Sequence, residues 1–141
     1  MKKIKLTQEN SVPEFIIGIS SQHYDFQVAW LINNVLGRSL SKSKSISIRL
    51  KKDNNISTYS FSLFSYSDLD NNFFYLLSNK EELAILYPKY KNIDYFLIVK
   101  SNEISIDDVI KNIKGKDFII GSFIIPVNNV FKKIITRVFE N

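Results

Sequence analysis

Three consecutive segments in the middle of the chain have strand-like sequences and are separated by turn-forming residues. Residues 45–51 and 58–66 alternate apolar and polar side chains, and a shorter aromatic and aliphatic segment follows at 73–78. A period of two places alternate side chains on opposite faces of a strand. The intervening sequences, KDNN and DLDNN, are typical of hairpin turns. The pattern predicts an antiparallel meander, so the fold must be built around an antiparallel sheet.

A strand followed by a helix is predicted before the meander. The sequence EFIIGIS at residues 14–20 is apolar and β-branched, which is typical of a buried strand. Apolar residues then recur at helical spacing over 24–36, and Gly37 stands where a left-handed C-terminal cap belongs. We expect this helix to pack on the sheet through a stripe of Tyr24, Val28, Leu31, Ile32 and Val35, widened by Phe26 and Trp30.

A second strand, helix and strand follow the meander. Residues 94–100 read as a strand, and Ser105 with Asp108 at the third helical position forms an N-terminal capping pattern. The helix is predicted to end at Gly115, and residues 118–125 form the last buried strand before Pro126. The helix carries an apolar stripe of Ile106, Val109, Ile110 and Ile113.

Two short helical segments complete the prediction. Residues 81–87 are interpreted as one helical turn before Pro88, and the apolar spacing after Asn128 indicates a short C-terminal helix. The expected fold is therefore α+β: a two-layer sandwich of about six mostly antiparallel strands, with the two main helices on one face. Neither a linker nor a repeat divides the sequence, so residues 1–141 are expected to form a single domain.

Composition limits the chemistry that the chain can perform. The sequence contains no Cys and one His, which excludes disulfides, Cys-ligated zinc and multi-His metal sites. The Lys-rich start leads into polar residues rather than an apolar signal core, and no apolar run approaches the length of a membrane span. We expect a soluble cytoplasmic protein with no cofactor, no metal and no membrane partner.

The net charge of +5 does not by itself indicate that the chain binds nucleic acid. The chain contains 16 Lys but 3 Arg, together with 21 Ile and 14 Asn, a usage typical of an AT-rich genome. Basic side chains release counterions from phosphates and would ordinarily suggest nucleic-acid binding. In this sequence the same charge is explained by composition.

Two sequence patterns approach known catalytic or metal sites and fail. Ser20 lies at a strand-to-helix junction, as a nucleophilic Ser would, but Gln22 replaces the required Gly and the only imidazole, His23, is too close in sequence. Asp68 begins a calcium-loop-like spacing with Asp70 and Asn72, but Phe73 and Asn79 replace the essential Gly and Glu. We predict no catalytic residue and interpret both segments as turn and cap structure.

One strand of the meander is similar to an RNA-recognition strand. Tyr59, Phe61 and Phe64 have the spacing with which such strands display rings for base stacking. The leading basic residue and Gly of that pattern are absent, and Tyr59 and Phe61 share a face that would equally suit a hydrophobic core.

Residues 87–95, YPKYKNIDY, resemble the signature of the bacterial IPExxxDY family. Pro88, Asp94 and Tyr95 stand at the spacing of the signature, while Lys89 replaces its Glu. The replacement reverses a charge, so that carboxylate is not indispensable chemistry in this chain.

Two other segments carry the same resemblance. Residues 17–33 are similar to the family's strand and following helix and retain Asp25, Trp30 and Asn33, and residues 75–80 are similar to its Ser-Asn-Lys strand ending. The family has no assigned activity, so the resemblance implies no mechanism.

Three hypotheses for function remain open. The first is a noncatalytic binding or adaptor domain whose partner is another protein, because the chain is rich in aromatic residues without a catalytic constellation. The second is an RNA-binding module that uses the Tyr59, Phe61 and Phe64 strand. The third is a small-ligand site or an enzyme, formed by the convergence of Asp25, Asn33, Asn79, Asp94 and Tyr95.

Overall fold

The computed structural model describes residues 12–140 and has an α+β fold, as predicted. In these residues a six-stranded antiparallel sheet and a small two-stranded sheet are combined with three α-helices. The elements in chain order are β1 (Glu14–Ser20), α1 (Asp25–Leu36), β2 (Ser41–Lys52), β3 (Asn55–Ser67), β4 (Phe73–Ser78), β5 (Lys80–Glu81), β6 (Ala84–Ile85), a 3₁₀ turn (Pro88–Tyr90), β7 (Tyr95–Lys100), α2 (Ile106–Ile113), β8 (Gly121–Ile125) and α3 (Asn129–Glu140).

The main sheet has the strand order β2-β3-β4-β7-β1-β8, and every neighbouring pair is antiparallel. The predicted meander of β2, β3 and β4 is therefore confirmed. Its first turn consists of Asp53 and Asn54, both with positive φ (52° and 69°), which is the geometry of a tight two-residue hairpin. The two ends of the order, β2 and β8, are the edges of the sheet within the described residues.

The two main helices, α1 and α2, cover one face of the sheet, as predicted. Val28 and Ile32 of α1 and Val109 of α2 are fully buried against side chains such as Ile17 and Leu97 from the central strands. The C-terminal end of α1 and the N-terminal end of α2 lie where the capping residues in the sequence predict. Gly37 has a φ of +64° at the C-cap of α1, and the Ser105 hydroxyl accepts a hydrogen bond from the Asp108 amide at 3.2 Å.

The C-terminal helix α3 packs on the opposite face, together with the segment 79–93. Phe131 is fully buried, and its ring lies 4.9 Å from the ring of Phe96 and 5.0 Å from that of Tyr87. Gly18 of β1 allows this close packing, because a Cβ atom there would lie 2.9 Å from Ile93 Cδ1. Helices therefore lie on both sides of the sheet. Phe131, Ile135 and Val138 of α3 belong to a hydrophobic core on this face, which is separate from the core beneath α1 and α2.

Three details differ from the predictions. Residues 81–87 do not form a helical turn, because the side chain and carbonyl of Asn79 bind the Tyr87 and Leu86 amides and fold the segment into the β5–β6 hairpin. The last strand begins at Gly121 rather than at 118, since the amide of Ile119 is held in a turn by the Lys116 carbonyl.

The third difference is in α1. Only Val28, Ala29, Ile32 and Leu36 are buried, whereas three aromatic residues assigned to the buried stripe are exposed: Tyr24 by 70%, Phe26 by 59% and Trp30 by 61%. A helix resting on a sheet buries only the side chains that face the sheet, so the aromatic residues on the remaining surface stay in solvent.

Candidate functional site

Two residues of the predicted ligand site, Asp94 and Tyr95, lie in a polar cluster at the start of β7. The Asp94 carboxylate accepts a hydrogen bond from the Ser21 amide at 2.8 Å and forms an ion pair with Lys80 at 3.0 Å. Its backbone amide donates to the Ile19 carbonyl at 2.9 Å, which joins the cluster to β1. Asp94 is thus engaged in holding the β1–α1 loop against β7.

Tyr95 fixes the same loop from the side of the core. Its hydroxyl donates a hydrogen bond to the His23 carbonyl at 2.6 Å, and its ring is buried. Burial, assisted by the negative charges of Asp25 and Asp94, raises the pKa of Tyr95 to about 12. Tyr95 is therefore a neutral hydrogen-bond donor at physiological pH and a poor acid or nucleophile.

The other predicted ligand residues are occupied by structural contacts. Asp25 accepts from the Phe26 amide at 2.7 Å and pairs with Lys42 at 3.5 Å, while Asn33 makes two hydrogen bonds to the backbone of Leu40. Asp25 and Asn33 are eight residues apart on α1, so about 12 Å of helix separates them.

Asn79 is fully buried and makes only internal hydrogen bonds. Its amide nitrogen donates to the carbonyls of Tyr90 and Ile93, at 3.0 and 2.8 Å, and its side-chain oxygen accepts from the Tyr87 amide at 2.8 Å. This side chain holds the segment 79–93 on the sheet. The structure therefore brings Asp25, Asp94 and Tyr95 to one region, while Asn33 lies along the helix and Asn79 faces the interior.

The remaining signature residues are divided between support and exposure. Pro88 begins the 3₁₀ turn of the segment 79–93, where its fixed φ and missing amide are tolerated, and Lys89 lies over the Tyr90 ring at 5.6 Å. Trp30, by contrast, is a signature residue that presents a large apolar side chain to solvent.

Trp30 belongs to a continuous group of exposed and half-exposed rings, which we call the aromatic surface: His23, Tyr24, Phe26, Trp30 and Phe118. Phe118 stacks on His23 with ring centroids 4.0 Å apart and lies 6.3 Å from Trp30, and Tyr24 stacks near Phe26 at 5.8 Å. Phe26 and Trp30 are one helical turn apart and so share a side of α1.

Sequence reasoning missed this surface because it assigned every apolar residue of α1 to the core. One signal was present: apolar residues occur on every side of α1, whereas a helix packed on one sheet needs them on one side alone. An apolar helix with an uncovered side is typical of a contact surface in soluble proteins.

The three rings of the RNA-stacking hypothesis do not form one exposed platform. Phe61 is fully buried beside α3, whereas Phe64 is buried on the opposite face beside α1, and Tyr59 is partly buried on the Phe61 side. The rings point to both faces because Phe61 and Phe64 are an odd number of residues apart.

The Asp68 segment is a turn, as interpreted, whereas Ser20 does not cap α1. Asp68 accepts hydrogen bonds from the amides of Asp70 and Asn72, from the Asn72 side chain and from the Tyr66 hydroxyl. These bonds, chiefly those from Asn72, lower the pKa of Asp68. The Ser20 hydroxyl donates to the Asn92 carbonyl at 2.6 Å. Both groups therefore fasten turns to the sheet.

Residues 12–140 contain no group of three or more His, Asp or Glu side chains arranged to hold a metal ion. None of the helices described is long and apolar enough to cross a membrane. Comparisons with family models, curated proteins and solved structures return no match for the chain. The resemblance to the IPExxxDY family therefore stays a prediction.

Proposed function

We propose that the chain is a noncatalytic cytoplasmic domain that binds another protein through the aromatic surface. The observation that carries the proposal is the exposure of Tyr24, Phe26 and Trp30, each by more than half, on one helix and beside the Phe118 ring. Aromatic rings bury large areas at little entropic cost and are enriched where proteins meet. The cytoplasmic location is carried over from the sequence as an expectation.

The rigidity of the surface supports a binding role. The β1–α1 loop below it is held by the Tyr95 hydroxyl and the Asp94 carboxylate, and His23 in this loop stacks on Phe118. A partner would therefore meet rings that are already ordered, which lowers the entropic cost of association.

The polar cluster offers less support for an enzyme. Asp94 is paired with Lys80, Asp25 is paired with Lys42, and the neutral Tyr95 hydroxyl donates a hydrogen bond to a backbone carbonyl. Each group has a structural partner, and this favours the binding hypothesis over catalysis by these residues.

The test compares two double variants. Phe26→Ser with Trp30→Ser removes the centre of the aromatic surface, while Ile56→Ser with Leu69→Ser removes exposed apolar side chains far from it. We expect proteins captured from lysate of the source cells by the wild-type chain to be retained by the control pair and lost by the aromatic-surface pair. Circular dichroism and thermal unfolding verify that both pairs fold.

Trp30 supplies a direct readout, because it is the only Trp in the chain. Its fluorescence should shift to shorter wavelength when the purified captured partner covers the ring. Equal capture by both double variants, or a captured partner that leaves the Trp30 emission unchanged, contradicts the proposal. A chain that captures nothing and sediments strictly as a monomer also contradicts it.

A further inference from the structure

Within residues 12–140, the outer side of β8 is an unpaired strand edge. β8 pairs with β1, with Ile16 opposite Ile125 and Ser20 opposite Gly121, and none of the strands within residues 12–140 pairs with its other side. An edge strand exposes backbone donors and acceptors that favour pairing with another strand.

The register identifies which backbone groups point outward. Ser101 donates to the Pro13 carbonyl, so the odd-numbered residues of β1 direct their backbone groups toward β7. Because these directions alternate along a strand, the even-numbered residues of β1 face β8 and meet Gly121, Phe123 and Ile125. The amide and carbonyl groups of Ser122 and Ile124 consequently face outward.

The side chains of this edge are uncharged and apolar. The sequence of β8 is GSFII, in which Phe123 is 50% exposed and Ile124 is 60% exposed. Natural edge strands are usually protected from pairing by lysines, bulges or proline within the strand. Here Pro126 follows the strand without interrupting it.

We propose that β8 pairs antiparallel with β8 of a second copy of this chain, which joins the two six-stranded sheets across a two-fold axis. Pairing centred on Phe123 places Ser122 of each copy opposite Ile124 of the other, so that the outward groups form four backbone hydrogen bonds. The two Phe123 rings then meet across the axis, and Gly121 lies opposite Ile125. Small residues therefore face large ones at every position except the central aromatic pair.

The sequence of β8 favours a second copy as the occupant, because the centred pairing is complementary in size: Gly121 and Ser122 of each copy lie opposite Ile125 and Ile124 of the other. The net charge of +5 repels two copies as a whole, and β8 adds no charged side chain to the contact. The opposite edge strand, by contrast, contains Lys42, Lys44, Arg49, Lys51 and Lys52. The proposal is independent of the aromatic surface and of the partner proposed for it.

The first experiment measures sedimentation of the full chain over a range of concentrations. Ser122→Pro removes an outward amide without removing a bond to β1, and we expect it to raise the dimer dissociation constant about tenfold or more. Ser47→Pro is the matched control, because Ser47 occupies the corresponding outward position on β2. This control should leave the dissociation constant unchanged.

The second experiment tests the register without depending on the proline variant. The chain has no Cys, so Phe123→Cys introduces its only thiol. Opposite residues in such a pair have Cα atoms about 4.5 Å apart, within the range of a disulfide. Ile124→Cys is the matched control, since its two copies would be about 8 Å apart. Mild oxidation should cross-link the first variant several-fold more than the second.

Three outcomes overturn the proposal. The first is a chain that stays monomeric at every concentration. If hydrogen exchange shows that the Ser122 and Ile124 amides of this monomer are protected, another segment of the same chain covers the edge. The second is a dimer that Ser122→Pro leaves intact. The third is equal cross-linking of Phe123→Cys and Ile124→Cys, which excludes a contact centred on Phe123.

Discussion

The two edges of the sheet differ in almost every property that governs contact with another molecule. The β2 edge is twelve residues long, contains five basic residues and has a register shift between Ser43 and Ile46. One of its outward carbonyls, that of Ser47, already accepts a hydrogen bond from Arg137 at 2.6 Å. The β8 edge has five residues, no charge and exposed Phe123 and Ile124.

The two edges therefore differ in how strongly they oppose pairing with another strand. Lysines and bulges on β2 oppose pairing at that edge. The apolar side chains of β8 cost free energy in solvent unless another molecule covers them. The aromatic surface lies close to β8, because the Ile120 amide bonds to Ser20 at 2.8 Å and Phe118 stacks on His23. The two proposed contact surfaces are therefore close to each other on the molecule.

The largest expected effect is a difference in the free energy of unfolding between variants of two phenylalanines, one in β3 beside the β2 edge and one in β8. Phe61 in β3 is fully buried, so Phe61→Ala should lower the free energy of unfolding by about 3–5 kcal/mol. Phe123→Ala should cost about 1 kcal/mol or less, since that ring is half exposed. Urea unfolding at low protein concentration measures both values. Similar losses would mean that Phe123 supports the fold rather than a contact.

The second prediction concerns a variant in which the β2 edge loses basic side chains and becomes more similar to the β8 edge. Arg49→Thr with Lys51→Thr removes two exposed charges from β2 and adds residues that favour strands. We expect about a tenfold increase in self-association, which sedimentation velocity would detect. As a control, Lys111→Thr with Lys114→Thr removes the same charge around the end of α2. An increase in both pairs would indicate an effect of net charge instead of the edge.

The third prediction concerns how the free energy of unfolding changes with pH through Tyr95, which lies below the aromatic surface. Folding raises the pKa of Tyr95 to about 12, so its contribution to stability is complete below pH 10 and is lost as pH rises toward about 12. Tyr95→Phe should cost about 1 kcal/mol at neutral pH, because the hydrogen bond to the His23 carbonyl is lost.

The same variant should show a smaller decrease in stability between pH 10 and 12 than the wild-type chain. Thermal unfolding followed by circular dichroism at several pH values tests this difference. Parallel stability curves for the two proteins would exclude Tyr95 as the titrating group.

The smallest expected effect concerns salt. Raising the ionic strength from about 0.1 M to about 1 M shortens the screening length from about 10 Å to about 3 Å. A contact at β8 contains no charged side chain from that strand, so the dimer dissociation constant should change by less than about twofold, or tighten as repulsion between the copies is screened. A steep weakening with salt would place the contact on charged surfaces.

Local sequence patterns were sufficient for most of the elements. β1 and β4 have the predicted bounds, and the Gly37 and Ser105 caps lie where their sequences indicated, because a cap is decided by a few neighbouring residues. The segment 79–93 was predicted less well. Its shape is set by Asn79, which bonds to residues up to fourteen positions away. A window of neighbouring residues does not contain that information.

The candidate site was predicted only in part for a related reason. Sequence reasoning predicted that Asp25 and Asp94 converge, and in the structure both carboxylates lie near enough to Tyr95 to raise its pKa. It grouped Asn33 with them, although a helix carries that residue away. It also placed Trp30 in the core, since hydrophobicity alone does not distinguish a covered side chain from an exposed one.

The sequence by itself determined most of the strands and helices and the Gly37 and Ser105 caps, because apolar periodicity and capping are properties of the local backbone. Only the tertiary structure decided the strand order, the face covered by α3 and the exposure of the α1 rings. These features depend on which distant segments pair. A strand such as GSFII has the same sequence at the centre of a sheet and at its edge. What leaves one side of β8 available for contact is that no strand within residues 12–140 pairs with it.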